Sequence, residues 1–165
     1  MTQSSYTVRQ ITRADEPFLW DMLYLAIFMP EGVTPPSRDI LKAPEIAKYV
    51  ELWGKSGDYG LIAVDVETNQ PVGAIWLRYF SSTNPSYGYV ADDIPELSMA
   101  LLTNYRGQGI GTRLLGDLIA STSDKHAISL SVDPANAAMK LYERFGFRPV
   151  GESGTSITML RSQET

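Results

Sequence analysis

The chain has 165 residues, 44% of them hydrophobic and 20% charged, with a net charge of −5 and no cysteine. That size predicts one domain, residues 1–165, with a proper core, and the composition is that of a soluble globular protein. The missing thiols exclude a disulfide framework, a thiolate zinc site and a cysteine nucleophile, and the acidic balance leaves no general footprint for nucleic acid. No apolar run reaches bilayer-spanning length and the opening MTQSSYTVRQ lacks a signal-peptide core. The expected location is therefore cytoplasmic, with no membrane partner. The charge is uneven: 7 Lys and Arg stand against 13 Asp and Glu up to Thr103, and 7 against 6 from Asn104 onward.

YTVRQI (6–11) alternates and predicts a first strand. Asp15 can cap a helix whose first turn tolerates Pro17 and which runs through FLWDMLYLAIF (18–28). MPEGVTPPS (29–37) is a loop, because its prolines cannot continue that helix. PEIAKYVELWG (44–54) has helical spacing at Ile46, Val50 and Trp53 and stops on Gly54. The period then changes. YGLIAVDVE (59–67) and QPVGAIWLRYF (70–80) are β-rich runs joined through TNQ as a hairpin. SSTNPSYGYVADDIP (81–95) is a long polar loop of the kind that often carries function. ELSMALL (96–102) predicts a buried strand, GIGTRLLGDLIASTS (109–123) a helix and AISLSV (127–132) another strand. NAAMKLYERFG (136–146) is a helix closed by Gly146, and FRPVGESGTSITML (147–160) holds a last strand pair. The order βααβββαβαββ predicts a single α/β domain around a mixed sheet.

NYRGQGIGTRLL (104–115) stands out: Gly107, Gly109 and Gly111 open directly into an apolar-periodic helix. Glycine is conformationally costly, so three at a helix start suggest close approach to the backbone. A helix N-terminus offers unpaired N–H groups and the positive end of the macrodipole, which suits phosphate. The spacing fits neither a P-loop, since Thr112 and Arg113 follow the last glycine, nor the G-x-G-x-x-G dinucleotide fingerprint. A plain tight turn with a helix cap is the alternative.

What the segment matches is Arg-x-x-Gly-x-Gly, as Arg106, Gly109 and Gly111, and here the sequence resembles the GNAT superfamily of acetyl-CoA-dependent N-acetyltransferases. A second match follows one strand later in SVDPANAAMKLYERFGF (131–147), with Asn136, Tyr142 and the Phe145-Gly146-Phe147 ending. The resemblance implies a mostly antiparallel central sheet flanked by helices, and acetyl-CoA as co-substrate with no metal. It puts the pyrophosphate on the backbone N–H groups of Gly107, Gln108, Gly109, Ile110, Gly111 and Thr112, with Arg106 of the same motif also a cofactor-binding residue. Pantetheine would run along Met99, Ala100 and Leu101, in a slot where the ELSMALL and AISLSV strands splay apart. Asn136 would bond near the pantetheine, or cap the helix that follows.

Amine acetylation needs a base, an oxyanion donor and an acid. For the acid, the resemblance points to Tyr142; its spacing with Ala138, Leu141 and Phe145 equally suits a core aromatic. For the base, Glu96 opens the strand before the glycine turn. In many members the carboxylate lies one residue earlier, where this chain has Pro95, and a one-residue slip reverses a strand residue's face. Asp92, Asp93 or a water chain are the substitutes. The oxyanion donor would be the Met99 N–H. His126 falls in a turn and reads as a surface residue. The acceptor pocket is expected between the first two helices, where Trp20, Tyr24, Phe28 and Glu31 lie; Tyr24 and Glu31 are candidate contacts for a cationic amine, while the aromatics also fit a core stripe. The expected activity is acetyl transfer to a small primary amine by direct attack, with a second copy of the chain as a further candidate partner. The alternatives are a non-catalytic CoA-binding sensor and an acyltransferase acting on a peptide amine.

Overall fold

A computed structural model describes residues 5–27 and 32–163. Seven strands form one sheet in the order β1-β2-β3-β4-β5-β7-β6. In chain order the elements are β1 (Tyr6–Gln10), α1 (Glu16–Ala26), α2 (Pro44–Ala47), β2 (Tyr59–Asp65), β3 (Pro71–Arg78), β4 (Glu96–Leu101), α3 (Ile110–Ser121), β5 (Ala127–Val132), α4 (Ala138–Arg144), β6 (Arg148–Ser153) and β7 (Ser156–Ser162). The expected succession βααβββαβαββ is therefore the observed one. All neighbouring strands run antiparallel except β4 and β5.

The alternation of the central strands sorts the core into two layers. Leu61, Ala63, Ile75, Leu77, Leu97, Ile128 and Leu130 pack with Ile110, Leu114, Leu115 and Leu118 of α3. Ile62, Val64, Ala74, Trp76 and Ala100 pack on the opposite layer with Leu19, Met22 and Leu23 of α1. Both predicted amphipathic helices thus cover a face of the sheet.

Two local expectations are corrected. Asp15 does not cap α1, and no side-chain bond closes that helix start. Its carboxylate instead accepts the Thr12 N–H at 2.7 Å and pairs with the Arg9 guanidinium at 2.8 and 2.9 Å. That pairing holds the Asp15 carboxyl below the usual range.

The helix expected over 44–54 is one α-turn, Pro44–Ala47, followed by turns. Side chains of β3 take the carbonyls a longer helix would use. Arg78 Nη1 donates to the Lys48 and Glu51 carbonyls at 3.0 and 2.8 Å, and Trp76 Nε1 donates to the Tyr49 carbonyl at 3.0 Å. Leu52 then sits at φ 56°, outside helical space. The other edge of the Arg78 guanidinium pairs with Asp58 at 2.8 and 3.0 Å, and both side chains are buried. Tertiary capture overrides local spacing here.

Candidate active site

The site grows from a defect in the sheet. β4 and β5 share a single register pair, Glu96↔Ser129, whereas β3 and β4 pair along six positions. The Leu102 N–H bonds the Val72 carbonyl at 2.8 Å, and the Ser129 N–H bonds the Pro95 carbonyl at 3.0 Å. Because antiparallel partners alternate, even-numbered residues of β4 turn their main chain to β3 and odd-numbered ones turn away from it. Beyond the single pair, the N–H and C=O of Met99 and Leu101 therefore face the gap. Ala100, expected to share that role, gives its main chain to β3.

The gap opens into a cavity of about 780 Å³ lined by Met99, Ala100, Leu101, Arg106, Gly107, Gly109, Gly111 and Thr112 on one side. Asn136, Leu141 and Tyr142 line it on the other. Gly107 and Gly109 adopt φ of 76° and 83°, and a Cβ on either would meet nothing within 4 Å. The glycines thus shape a left-handed turn and leave its outer surface open. The first closing bond of α3 is Arg113 N–H to the Gly109 carbonyl at 3.0 Å, which leaves the N–H groups before it unclaimed by the helix. A strand edge with free amides leading to a helix N-terminus suits an extended ligand ending in a diphosphate. Gln108 and Ile110 do not line the cavity: the Gln108 side-chain amide donates to the Asn104 carbonyl at 3.3 Å, and Ile110 is buried in the core.

A second cavity, about 360 Å³, lies against Tyr49, Tyr87, Glu96, Ser98, Ser131 and Asp133. Met99, Asn136 and Tyr142 line both cavities. Tyr142 is 7% exposed and packs edge-on against Phe147, with ring centroids 5.8 Å apart. Its hydroxyl makes no hydrogen bond among the described residues, and burial alone pushes the phenol well above its ordinary pKa. The Tyr142 ring belongs to the core, and the residue lines both cavities. Asn136 stands one residue before the Ala137 N-cap of α4, its Oδ1 accepting the Ala138 N–H at 2.9 Å.

Glu96 turns to the second cavity, on the face opposite Leu97, and is 4% exposed. Three donors converge on its carboxylate. Tyr49 Oη donates to Oε2 at 2.7 Å, the Gly88 N–H to Oε1 at 2.9 Å, and the Ser86 hydroxyl also to Oε1. Burial raises the Glu96 pKa, and these donors pull it part of the way back. The substitutes lie elsewhere: Asp92 and Asp93 are exposed, Asp92 accepting the Ser82 N–H at 2.9 Å and Asp93 standing 3.6 Å from His126. Tyr24 lines the larger cavity and not the smaller one, its hydroxyl donating to the Pro36 carbonyl. Leu23 of the same segment reaches the smaller one, and Ala26 and Ile27 line both. Trp20 donates to Glu16 at 3.1 Å, while Phe28 and Glu31 lie outside the described residues.

Sequence reasoning missed Tyr49, Ser86 and Gly88. Gly88 is the lone glycine of the polar loop 81–95, and its use is spatial. A Cβ there would lie 2.7 Å from the Leu130 carbonyl carbon, 2.9 Å from the Ser131 nitrogen and 2.9 Å from Glu96 Cδ. The Leu130–Ser131 peptide group of β5 cannot yield as a flexible side chain would. Gly88→Ala is expected to destabilise the fold by about 1–3 kcal/mol and to lower activity by disturbing Glu96. Melting curves check the first effect, at about 2–4 °C per kcal/mol for a chain of this size. An unchanged melting temperature would contradict it.

Among the described residues no group of three or more His, Asp or Glu is arranged to hold a metal, and no helix is long and apolar enough to cross a membrane. Residues 19–147 match the profile of the acetyltransferase (GNAT) family. A ribosomal protein bS18 alanine N-acetyltransferase of Haemophilus influenzae is 38% identical over 63 residues, which span 37% of this chain and 43% of that relative. The chain thus covers under half the length of this curated relative. Among solved structures, a ribosomal-protein-alanine N-acetyltransferase from Brucella melitensis superposes with a TM-score of 0.66 at 23% identity, covering 94% of this chain and 99% of that one. A phosphinothricin acetyltransferase from Sinorhizobium meliloti, solved in complex with AcCoA, gives 0.66 at 20% identity over 95% of this chain and 88% of that one.

Proposed function

Because the chain belongs to the acetyltransferase (GNAT) family, we propose that it transfers an acetyl group from acetyl-CoA to a primary amine by direct attack. One observation carries this reading: two cavities of different character meet at Met99, Asn136 and Tyr142. The larger offers free strand amides and a helix N-terminus for the acyl donor. The smaller offers a buried carboxylate for the amine.

The residues then have distinct tasks. Glu96 takes a proton from the bound ammonium, directly or through water; the freed lone pair then bonds the acetyl carbon, and the nitrogen loses its second proton to water as the tetrahedral intermediate collapses. The Met99 N–H faces the gap and stabilises charge on the carbonyl oxygen. As the carbon–sulfur bond breaks, Tyr142 gives its phenolic proton to the departing sulfur. A phenol with its pKa raised by burial stays protonated through the physiological range, which suits an acid and not a base.

A small-molecule acceptor is supported by the 360 Å³ volume, which is of ligand-pocket size. A peptide amine is the second reading, favoured by the 63-residue likeness to a ribosomal-protein-alanine N-acetyltransferase. The test is thiol release from acetyl-CoA across a panel of amines. With no cysteine in the chain, the protein contributes no background thiol. Absence of thiol release with every amine in the panel would leave only a CoA-binding module.

The base is tested by pH. Glu96 acts ionised, and its pKa is raised, so wild-type turnover is expected to fall with acidification earlier than an ordinary glutamate would dictate. Glu96→Gln must wait for free amine, which grows scarce as pH falls. The wild-type to Glu96→Gln ratio is therefore expected to be largest at low pH, about 100-fold or more, and to shrink toward the amine's own pKa. Tyr49→Phe removes a donor to the carboxylate and should move the acid breakpoint further up. A ratio that stays flat across pH removes Glu96 as the base.

A further inference from the structure

Resting on the acetyl-transfer reading, we infer that the acceptor is a primary amine on an apolar, uncharged body with no carboxylate beside the amine. The smaller cavity has a one-sided charge pattern. Its described lining holds two carboxylates, Glu96 and Asp133, and no Lys, Arg or His.

The cations near Glu96 are engaged elsewhere. Arg78, its cross-strand partner on β3, gives its guanidinium to Asp58 and to two main-chain carbonyls. Lys48, whose charge acts on Glu96, donates to Asn84 Oδ1 at 3.2 Å and to the Pro85 carbonyl, and it does not line the cavity. An ammonium entering beside Glu96 finds a counter-charge. A carboxylate carried on the same carbon would be desolvated next to an anion, with no cation to meet it.

The rest of the wall describes the body of the acceptor. Leu23, Ile27, Ile46 and Val132 are apolar, and the Tyr49 and Tyr87 rings lie parallel within 11° at 6.5 Å between centroids. Such walls favour apolar or aromatic surface, and the polar lining residues Ser98, Ser131, Asn136, Thr155 and Ser156 are neutral and supply no counter-charge to a second charged group away from Glu96 and Asp133. The shared chemistry is therefore a monoamine with a hydrophobic body. Two sources carry it: a free arylalkylamine, or a chain terminus whose α-carboxyl is already an amide.

Three matched probes separate these features: 2-phenylethylamine, L-phenylalaninamide and L-phenylalanine, each titrated into the intact protein saturated with CoA. The first two are expected to bind about 100-fold more tightly than L-phenylalanine. Equal affinities, or failure of both uncharged-body probes to bind, overturn the inference. A tripeptide amide beginning with phenylalanine distinguishes the sources: tighter binding than 2-phenylethylamine assigns a chain terminus, weaker binding a free amine. Thr155→Arg, at an exposed turn on the cavity rim, is expected to narrow the discrimination against L-phenylalanine by supplying the missing cation. Binding is read apart from thiol release. Probes that rank as expected without any acetylation would sink the catalytic reading alone, and acetylation that ignores the carboxylate would sink this one alone.

Discussion

Gly109→Asp is expected to weaken CoA binding by about 100-fold or more while leaving the protein folded. The position joins two conditions that rarely coincide. Gly109 has φ of 83°, and a Cβ there meets nothing within 4 Å, so the new side chain projects into open space without striking the core. Aspartate is among the residues that tolerate the left-handed region, and a carboxylate at a helix N-terminus favours the helix. The fold therefore loses about 1–2 kcal/mol to backbone strain and regains part of it. The ligand fares differently. A negative charge about 4 Å from a diphosphate at a protein surface is repelled by about 4 kcal/mol. The same carboxylate competes for the N–H groups that would hold the phosphates. Calorimetric titration with CoA, alongside a melting curve, reads both quantities. Unchanged affinity would remove the diphosphate from this turn, and with it the acyl-donor reading of the larger cavity.

The glycine turn was legible in the sequence because the backbone there dictates residue type. Left-handed φ at Gly107 and Gly109 and an open approach leave few residues that fit, so spacing alone carries the information. The strands and α3 were legible for a similar reason: β-branched alternation and a 3.6-residue apolar period each match one geometry. The segment after Ala43 was not, because what ends α2 is remote. Arg78 and Trp76 draw off its carbonyls from β3, and no pattern within 44–54 signals a hydrogen bond made 27 or 30 residues away.

Glu96 shows the same division. Its place at the start of β4 was readable. Its environment was not, since its donors come from Tyr49, Ser86 and Gly88, which lie 47, 10 and 8 residues away. Glu96 keeps the alternation of β4, since it lies on the face opposite Leu97. What the pattern around Pro95 could not show is that Tyr49 and the loop 81–95 would meet that face with three donors. Tyr24 illustrates the converse. Helical periodicity placed it correctly on a stripe of α1, but not on which side of the gap in the sheet that stripe would fall.

Tyr142→Phe should separate the two roles of that ring. The substitution keeps the buried aromatic volume and the edge-on contact with Phe147, so stability is expected to change little. It removes one hydroxyl that has no hydrogen-bond partner among the described residues. A merely structural tyrosine would lose nothing by that, since an unpartnered hydroxyl contributes no bond to the fold. If the phenol protonates the departing sulfur, single-turnover acyl transfer should fall by about 10²–10⁴-fold with acetyl-CoA affinity intact. The defect should also depend on the leaving group. An acyl donor with a more acidic thiol needs less help to depart, so the wild-type to variant ratio should contract with it. Loss of acetyl-CoA affinity in step with rate would mean that the hydroxyl orients the donor in the ground state. Full activity in the variant would leave Tyr142 a core aromatic whose edge happens to border both cavities.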